Sequence, residues 1–218
     1  VRLVGWGIKA AGSVKRAALL CFGGAALAGM ALAIAVGPQL LLVGAAAIAA
    51  GWFYTGGKHP YGYYGFGELF VFVFFGLVAT VGSAYVQHEE LTAMATFAAV
   101  PVGLLATALL VINNLRDIPG DTESGKKTLA VRIGDSRTRA LYVGLLVVSY
   151  LVFVPIVAGG FGRPGAAAAL VGVVLARGPV LRVLEGARGP ALIPVLASTG
   201  RLQLVSGLLL AAGIWLTG

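Results

Sequence analysis

Acidic residues are scarce in this chain: eight Asp and Glu stand against sixteen Lys and Arg. Nothing before Glu68 is acidic, and the only aspartates are Asp117, Asp121 and Asp135. A single cysteine, Cys21, lies in an apolar run, which excludes an intramolecular disulfide and makes a small buried apolar role the expectation for it. No repeat period and no low-complexity tail is present, and the short basic opening does not read as a signal peptide. Charged residues make up only 11% of the chain, hydrophobic residues make up 59%, and the mean hydropathy is +0.94. That balance excludes an ordinary soluble domain.

What is there instead is a series of long apolar runs. About 20 apolar residues in a helix cross a ~30 Å hydrocarbon core. Seven segments come near that length, at 17–36, 39–54, 69–87, 91–113, 140–159, 165–177 and 199–217. The second and sixth are short. The predicted fold is therefore all-α, a polytopic transmembrane helix bundle, with many glycines and alanines suited to close helix contact in lipid. If the gaps are assigned alternately to two sides, every basic residue except Arg163 falls on one side. The positive-inside rule makes that side cytoplasmic. No basic patch with interleaved aromatics suggests nucleic-acid binding.

Two of the three aspartates sit in "NNLRDIPGDTESGKKTLAVRIG", residues 113–134. Asn113, Asp117 and Asp121 recur every four residues, a spread of about 80° around a helix, so three oxygen-bearing side chains can share one face. Pro119 and Gly120 predict a kink or break between the aspartates. Oxygen donors of this kind suit a hard cation such as Mg²⁺, which takes one or two carboxylates and leaves other positions to water and substrate phosphate. Arg116, Lys126, Lys127 and Arg132 add the positive charge a diphosphate would need. The same residues would also serve as a solvated loop. Gly120–Lys126 matches the opening of a phosphate-binding G-x-x-x-x-G-K loop. That match fails, because Lys127 replaces the metal-holding hydroxyl residue and an apolar helix, not a strand, precedes it.

The preceding basic loop reads "GWFYTGGKHPYGYYGFGELF", residues 51–70. Tyr54 and Lys58 are spaced Y-x-x-x-K among Trp52, Phe53, Tyr61, Tyr63, Tyr64 and Phe66. An interfacial aromatic belt with an anchoring lysine explains this loop as well as a functional role does. In the functional reading Lys58 contacts an anionic group, aromatic faces steady a developing cation, and Glu68 is a positioning carboxylate at the membrane boundary. His59 reads as a plain loop residue. A transporter would carry ionisable groups at mid-membrane, and the seven runs hold none.

"NNLRDIPGD" with "SGKKTLAVRIG", and "YTGGKHPYGYYGFGEL" with "VFVFFG", resemble the UbiA superfamily of intramembrane aromatic prenyltransferases, most of all its 1,4-dihydroxy-2-naphthoate branch. The resemblance covers nearly the whole chain. It implies a nine-helix fold, two Asp-rich motifs that hold Mg²⁺ on a polyprenyl diphosphate, and a bacterial plasma-membrane setting with the charged loops cytoplasmic. The second motif falls on Asn113, Asp117 and Asp121, which become the metal ligands, and the Y-x-x-x-K motif falls on Tyr54 and Lys58. By this resemblance Asp117, Asp121, Lys58 and Tyr54 are catalytic. Asn113, Asn114, Arg116, Lys126, Lys127, Arg132 and Glu68 are substrate-binding. The implied partners are polyprenyl diphosphate, 1,4-dihydroxy-2-naphthoate and membrane lipid. The first motif has no counterpart, so residues 1–218 are expected to be one transmembrane prenyltransferase domain lacking two N-terminal helices and inactive alone. A 4-hydroxybenzoate or chlorophyll-type acceptor is the alternative within the superfamily.

Overall fold

The computed structural model describes residues 10–218. Among them there is no strand, and seven helices follow one another: α1 (Ala11–Ala35), α2 (Gln39–Thr55), α3 (Gly67–His88), α4 (Ala93–Glu123), α5 (Leu129–Gly160), α6 (Pro164–Leu184) and α7 (Gly189–Leu216). All except α2, at 17 residues, are long and apolar enough to cross a membrane. The chain divides into two compact units, one ending at Trp52 and the other running from Phe53 to Gly218. Within the first unit Phe22 packs on Trp52, with ring centroids 6.4 Å apart. Cys21 is exposed, contrary to the burial expected of it. It sits on α1, a helix that buries almost none of its surface inside the protein and so offers a small apolar side chain nothing to pack under.

The second unit is organised around α4, whose apolar stretch is mostly buried, while α3 is mostly half-buried. α4 packs against α3, α5 and α7. Its sequence allows this, because Ala95, Ala98, Ala99, Gly103, Ala106 and Ala108 leave room for neighbouring backbones on several faces. Closest approach occurs where Gly76 of α3 meets Gly103 of α4, since a Cβ on Gly76 would collide with the Gly103 backbone. Between α4, α5 and α7 lie Val111, Ile112, Leu115, Tyr142, Leu146, Leu202 and Leu210. Two buried hydroxyl pairs join α5 to α7, Tyr142 with Thr199 at 2.9 Å and Tyr150 with Ser206 at 2.7 Å. Each satisfies a polar group that lipid or core would leave unpaired.

Several sequence expectations change here. α4 continues as one helix through Pro119 and Gly120, so of the expected kink or break the break does not occur. Hydroxyls reinforce its last turn: Thr122 donates to the Ile118 carbonyl and Ser124 to that of Gly120, both at 2.8 Å. The backbone instead departs from helical geometry at Gly134 inside α5 (φ 82°, ψ 170°). Residues 178–198 divide between the end of α6, a short turn at 185–188 and the start of α7. Arg177 and Arg201 therefore lie inside those helices and not at the ends of apolar runs, and both are exposed. Such side chains extend toward the headgroups along their helices. Arg139 is not a loop charge: it is buried, forks onto Asp135 at 2.6 and 2.9 Å, and donates to the Val183 and Ala187 carbonyls at the end of α6.

Gly76→Ala places a methyl group against backbone that cannot rotate away, so it is expected to cost about 1–3 kcal/mol. Thermal unfolding in detergent should show a lower midpoint than for Gly82→Ala, a site on α3 with open space around it.

Candidate active site

The end of α4 is shaped by a turn that only its sequence permits. Gly125, at φ 72°, closes the helix: its N–H donates to the Thr122 carbonyl, and the N–H of Lys126 donates to the Asp121 carbonyl at 2.9 Å. A glycine tolerates this left-handed conformation without a Cβ clash. The reversal brings the Lys126 ammonium to the Asp121 carboxylate, 3.1 Å from Nζ to Oδ1. One turn earlier, Arg116 binds Asp117 through both Nε and Nη2 at 2.8 Å, and Nη2 also donates to the Asn113 amide oxygen at 2.8 Å. Adjacent residues on a helix do not ordinarily face each other. The long guanidinium stem closes this pair and carries Asn113 into it.

The aromatic loop folds against this charged end. The Lys127 N–H donates to the Tyr63 carbonyl at 2.9 Å, and the Lys126 ammonium lies 4.8 Å from the centre of the Tyr63 ring. A Cβ on Gly65 would touch the Arg132 side chain, so the loop runs directly over the start of α5. Thr128 caps that start, accepting from the Val131 N–H. Glu68, in the first turn of α3, is buried and accepts from the Asn114 amide at 2.9 Å. The Tyr54 hydroxyl is within electrostatic reach of Glu68, Asp121 and Tyr63. Tyr54, Tyr61, Phe70 and Phe74 form a continuous aromatic wall, with Tyr61 stacked on Phe70 at 3.9 Å.

Two motifs separated by some fifty residues of sequence thus meet in one place. Tyr54, Glu68, Asn113, Asn114, Arg116, Asp117, Asp121, Lys126, Lys127 and Arg132 are all drawn into it. Lys58 is not: it is exposed on the loop after α2 and pairs with none of them. His59 donates or accepts with the Tyr64 hydroxyl at 3.2 Å, as befits a loop residue. Beside the cluster a groove of about 350 Å³ lies between α3, α4 and α7, lined by Val71, Phe75, Leu109, Leu110, Leu196 and others, with Asn113 on its wall. Its other polar residue is Gln203. The sequence reading passed over Gln203, although an amide alone in an apolar helix was a visible signal. It also passed over the Tyr63 carbonyl, a backbone role that no side-chain pattern announces.

The oxygens of Asn113, Asp117 and Asp121 are one amide and two carboxylates, a hard donor set compatible with Mg²⁺. Among the described residues no three or more His, Cys, Asp and Glu side chains gather at metal-binding range.

Asn114→Leu removes the donor from buried Glu68. Leaving that carboxyl group unsatisfied is expected to cost about 1–3 kcal/mol. A thermal unfolding midpoint equal to wild type would show that the Asn114–Glu68 bond does not hold α3 to α4.

The UbiA prenyltransferase family profile matches residues 9–192. The chain is 47% identical over 215 residues to the 1,4-dihydroxy-2-naphthoate octaprenyltransferase of Mycobacterium tuberculosis, covering 98% of this chain and 72% of that protein. It is 44% identical over 219 residues to the protein of the same name from Mycobacterium leprae, covering 100% and 73%. A more distant likeness, 35% over 115 residues, covers 53% of the chain and 34% of the mouse UbiA prenyltransferase domain-containing protein 1. With its helical architecture and the meeting of both motifs at the end of α4, the chain belongs to the UbiA prenyltransferase family.

Proposed function

We propose that this protein joins a polyprenyl diphosphate to 1,4-dihydroxy-2-naphthoate within a bacterial plasma membrane, releasing diphosphate and CO₂. The observation that carries this reading is the meeting of the charge-rich end of α4 and an apolar groove at Asn113, with the aromatic loop folded against that helix end through Tyr63. The mycobacterial relatives, by their names, act on this naphthoate, and that favours it over a 4-hydroxybenzoate or chlorophyll-type ring. In this reading residues 1–218 belong to a single membrane-embedded prenyltransferase domain, with the charged loops on the cytoplasmic side.

Prenyltransferases of this family are generally metal-dependent. Asn113, Asp117 and Asp121 would hold Mg²⁺, which supplies charge neutralisation to a departing diphosphate. Lys58, Lys127 and Arg132 are exposed cations suited to contact the outer phosphate oxygens. Arg116 and Lys126 balance the carboxylates and lie next to the same oxygens. Tyr54 and Tyr61 present ring faces and edges to the allylic carbon as its C–O bond breaks and the electron pair leaves with diphosphate. The aromatic wall excludes water, which would otherwise capture the cation. The electron-rich ring then forms the C–C bond, and the electrons of the carboxylate bond return to the ring as CO₂ departs. The apolar groove receives the hydrocarbon portion next to the reacting carbon and opens toward lipid.

Asp117→Ala in the full-length protein is expected to lower turnover at least a hundredfold while protein yield and unfolding midpoint stay near wild type. Retained Mg²⁺-dependent turnover would show that Asp117 is no ligand. Lys58→Ala should raise the KM for prenyl diphosphate more than that for the naphthoate. An equal rise in both would assign Lys58 to folding instead.

A further inference from the structure

α7 carries three polar side chains at successive turns on its inward side: Thr199 and Ser206, both buried, and Gln203, half-buried. Two are committed, Thr199 to the Tyr142 hydroxyl and Ser206 to that of Tyr150. Gln203 is not. Its carboxamide has no hydrogen-bond partner among the described residues, and it lines the same groove as Asn113. Every other residue of that groove is apolar. Gln203 is half-buried and its amide is not sealed off, so it is open to bond an occupant of the groove.

The chemistry of the groove limits what that occupant can be. The hydrocarbon portion that the groove receives fills apolar volume but offers an amide nothing, so the amide calls for a second occupant beside it. A flat, mostly apolar ring with oxygen substituents does both. The groove's size lies in the range of small-molecule sites. Gln203 also lies on the correct side of the chemistry. It is seven residues, about 10 Å, along α7 from Leu196, deeper in the groove than the charged end of α4 where diphosphate oxygens would sit. Asn113 already gives its amide oxygen to Arg116, which leaves the Gln203 carboxamide oxygen as the groove's uncommitted side-chain acceptor among the described residues.

We propose that Gln203 is a specificity-determining contact to the aromatic acceptor, hydrogen-bonding a ring oxygen and so setting which ring carbon faces the allylic end of the prenyl chain. This rests on the prenyl-transfer reading above. A site built to bond a hydroxyl rejects an analogue that lacks it, because the amide is then stranded.

The test uses full-length protein in lipid nanodiscs with geranylgeranyl diphosphate and either 1,4-dihydroxy-2-naphthoate or 1-hydroxy-2-naphthoate, comparing wild type, Gln203→Leu and Gln203→Asn. Gln203→Leu should raise the KM for 1,4-dihydroxy-2-naphthoate about tenfold, leave the KM for geranylgeranyl diphosphate within twofold, and narrow the preference for the dihydroxy over the monohydroxy ring by a similar factor. Should the leucine variant not yield folded protein by size exclusion, Gln203→Asn, which withdraws the amide by one methylene, should show the same pattern at several-fold. An unchanged acceptor KM, or equal rises for both substrates, overturns the proposal while leaving prenyl transfer intact. Wild-type protein that prenylates neither ring overturns both.

Discussion

The site depends on a balance of charge made within one short stretch of chain. Asp117 and Asp121 are each matched by a cation from the same segment, Arg116 within the helix and Lys126 immediately after it. At a membrane boundary, where few waters remain to solvate a carboxylate, this pairing is what allows two acids to stand a turn apart beside apolar helices. The rest follows from it. The Schellman turn at Gly125 delivers Lys126, the Tyr63 ring and carbonyl hold the returning strand of chain, and the aromatic loop is thereby laid over the acids.

The same arrangement explains why reaction chemistry and lipid access can coexist. α4 is the helix that the second unit buries most, and its charged end lies where its apolar body finishes. Its small residues bring α3 and α5 close, and the groove lies between α3, α4 and α7. A hydrocarbon substrate can therefore lie along α4 while its charged head meets the acids, without any charge entering the bilayer core.

Much of this was legible in the sequence because the bilayer simplifies the code. Length and hydropathy located seven helices, and the fourfold spacing of Asn113, Asp117 and Asp121 put them on one helix face. The helix limits were less legible. Pro119 and Gly120 suggested a kink or break, yet the helix runs on, with hydroxyls of Thr122 and Ser124 adding bonds to the Ile118 and Gly120 carbonyls in its last turn. Arg177 and Arg201 suggested helix ends, yet exposed arginines can lie within a span by extending along it. Contacts made by backbone, such as Tyr63 to Lys127, and roles set by which face a lone amide turns, such as that of Gln203, depend on tertiary placement. The buried fork of Arg139 onto Asp135 belongs to the same class: charge counting places it on the cytoplasmic side but cannot show that it ties α5 to the end of α6.

The central claim is that the oxygens of Asn113, Asp117 and Asp121 hold a divalent ion against the diphosphate. Electron paramagnetic resonance of Mn²⁺ bound to the full-length protein, with an unreactive prenyl thiolodiphosphate, tests it most directly. The account predicts a ³¹P hyperfine coupling in wild type and its loss or marked reduction in Asp121→Asn. An undiminished coupling in that variant would contradict it.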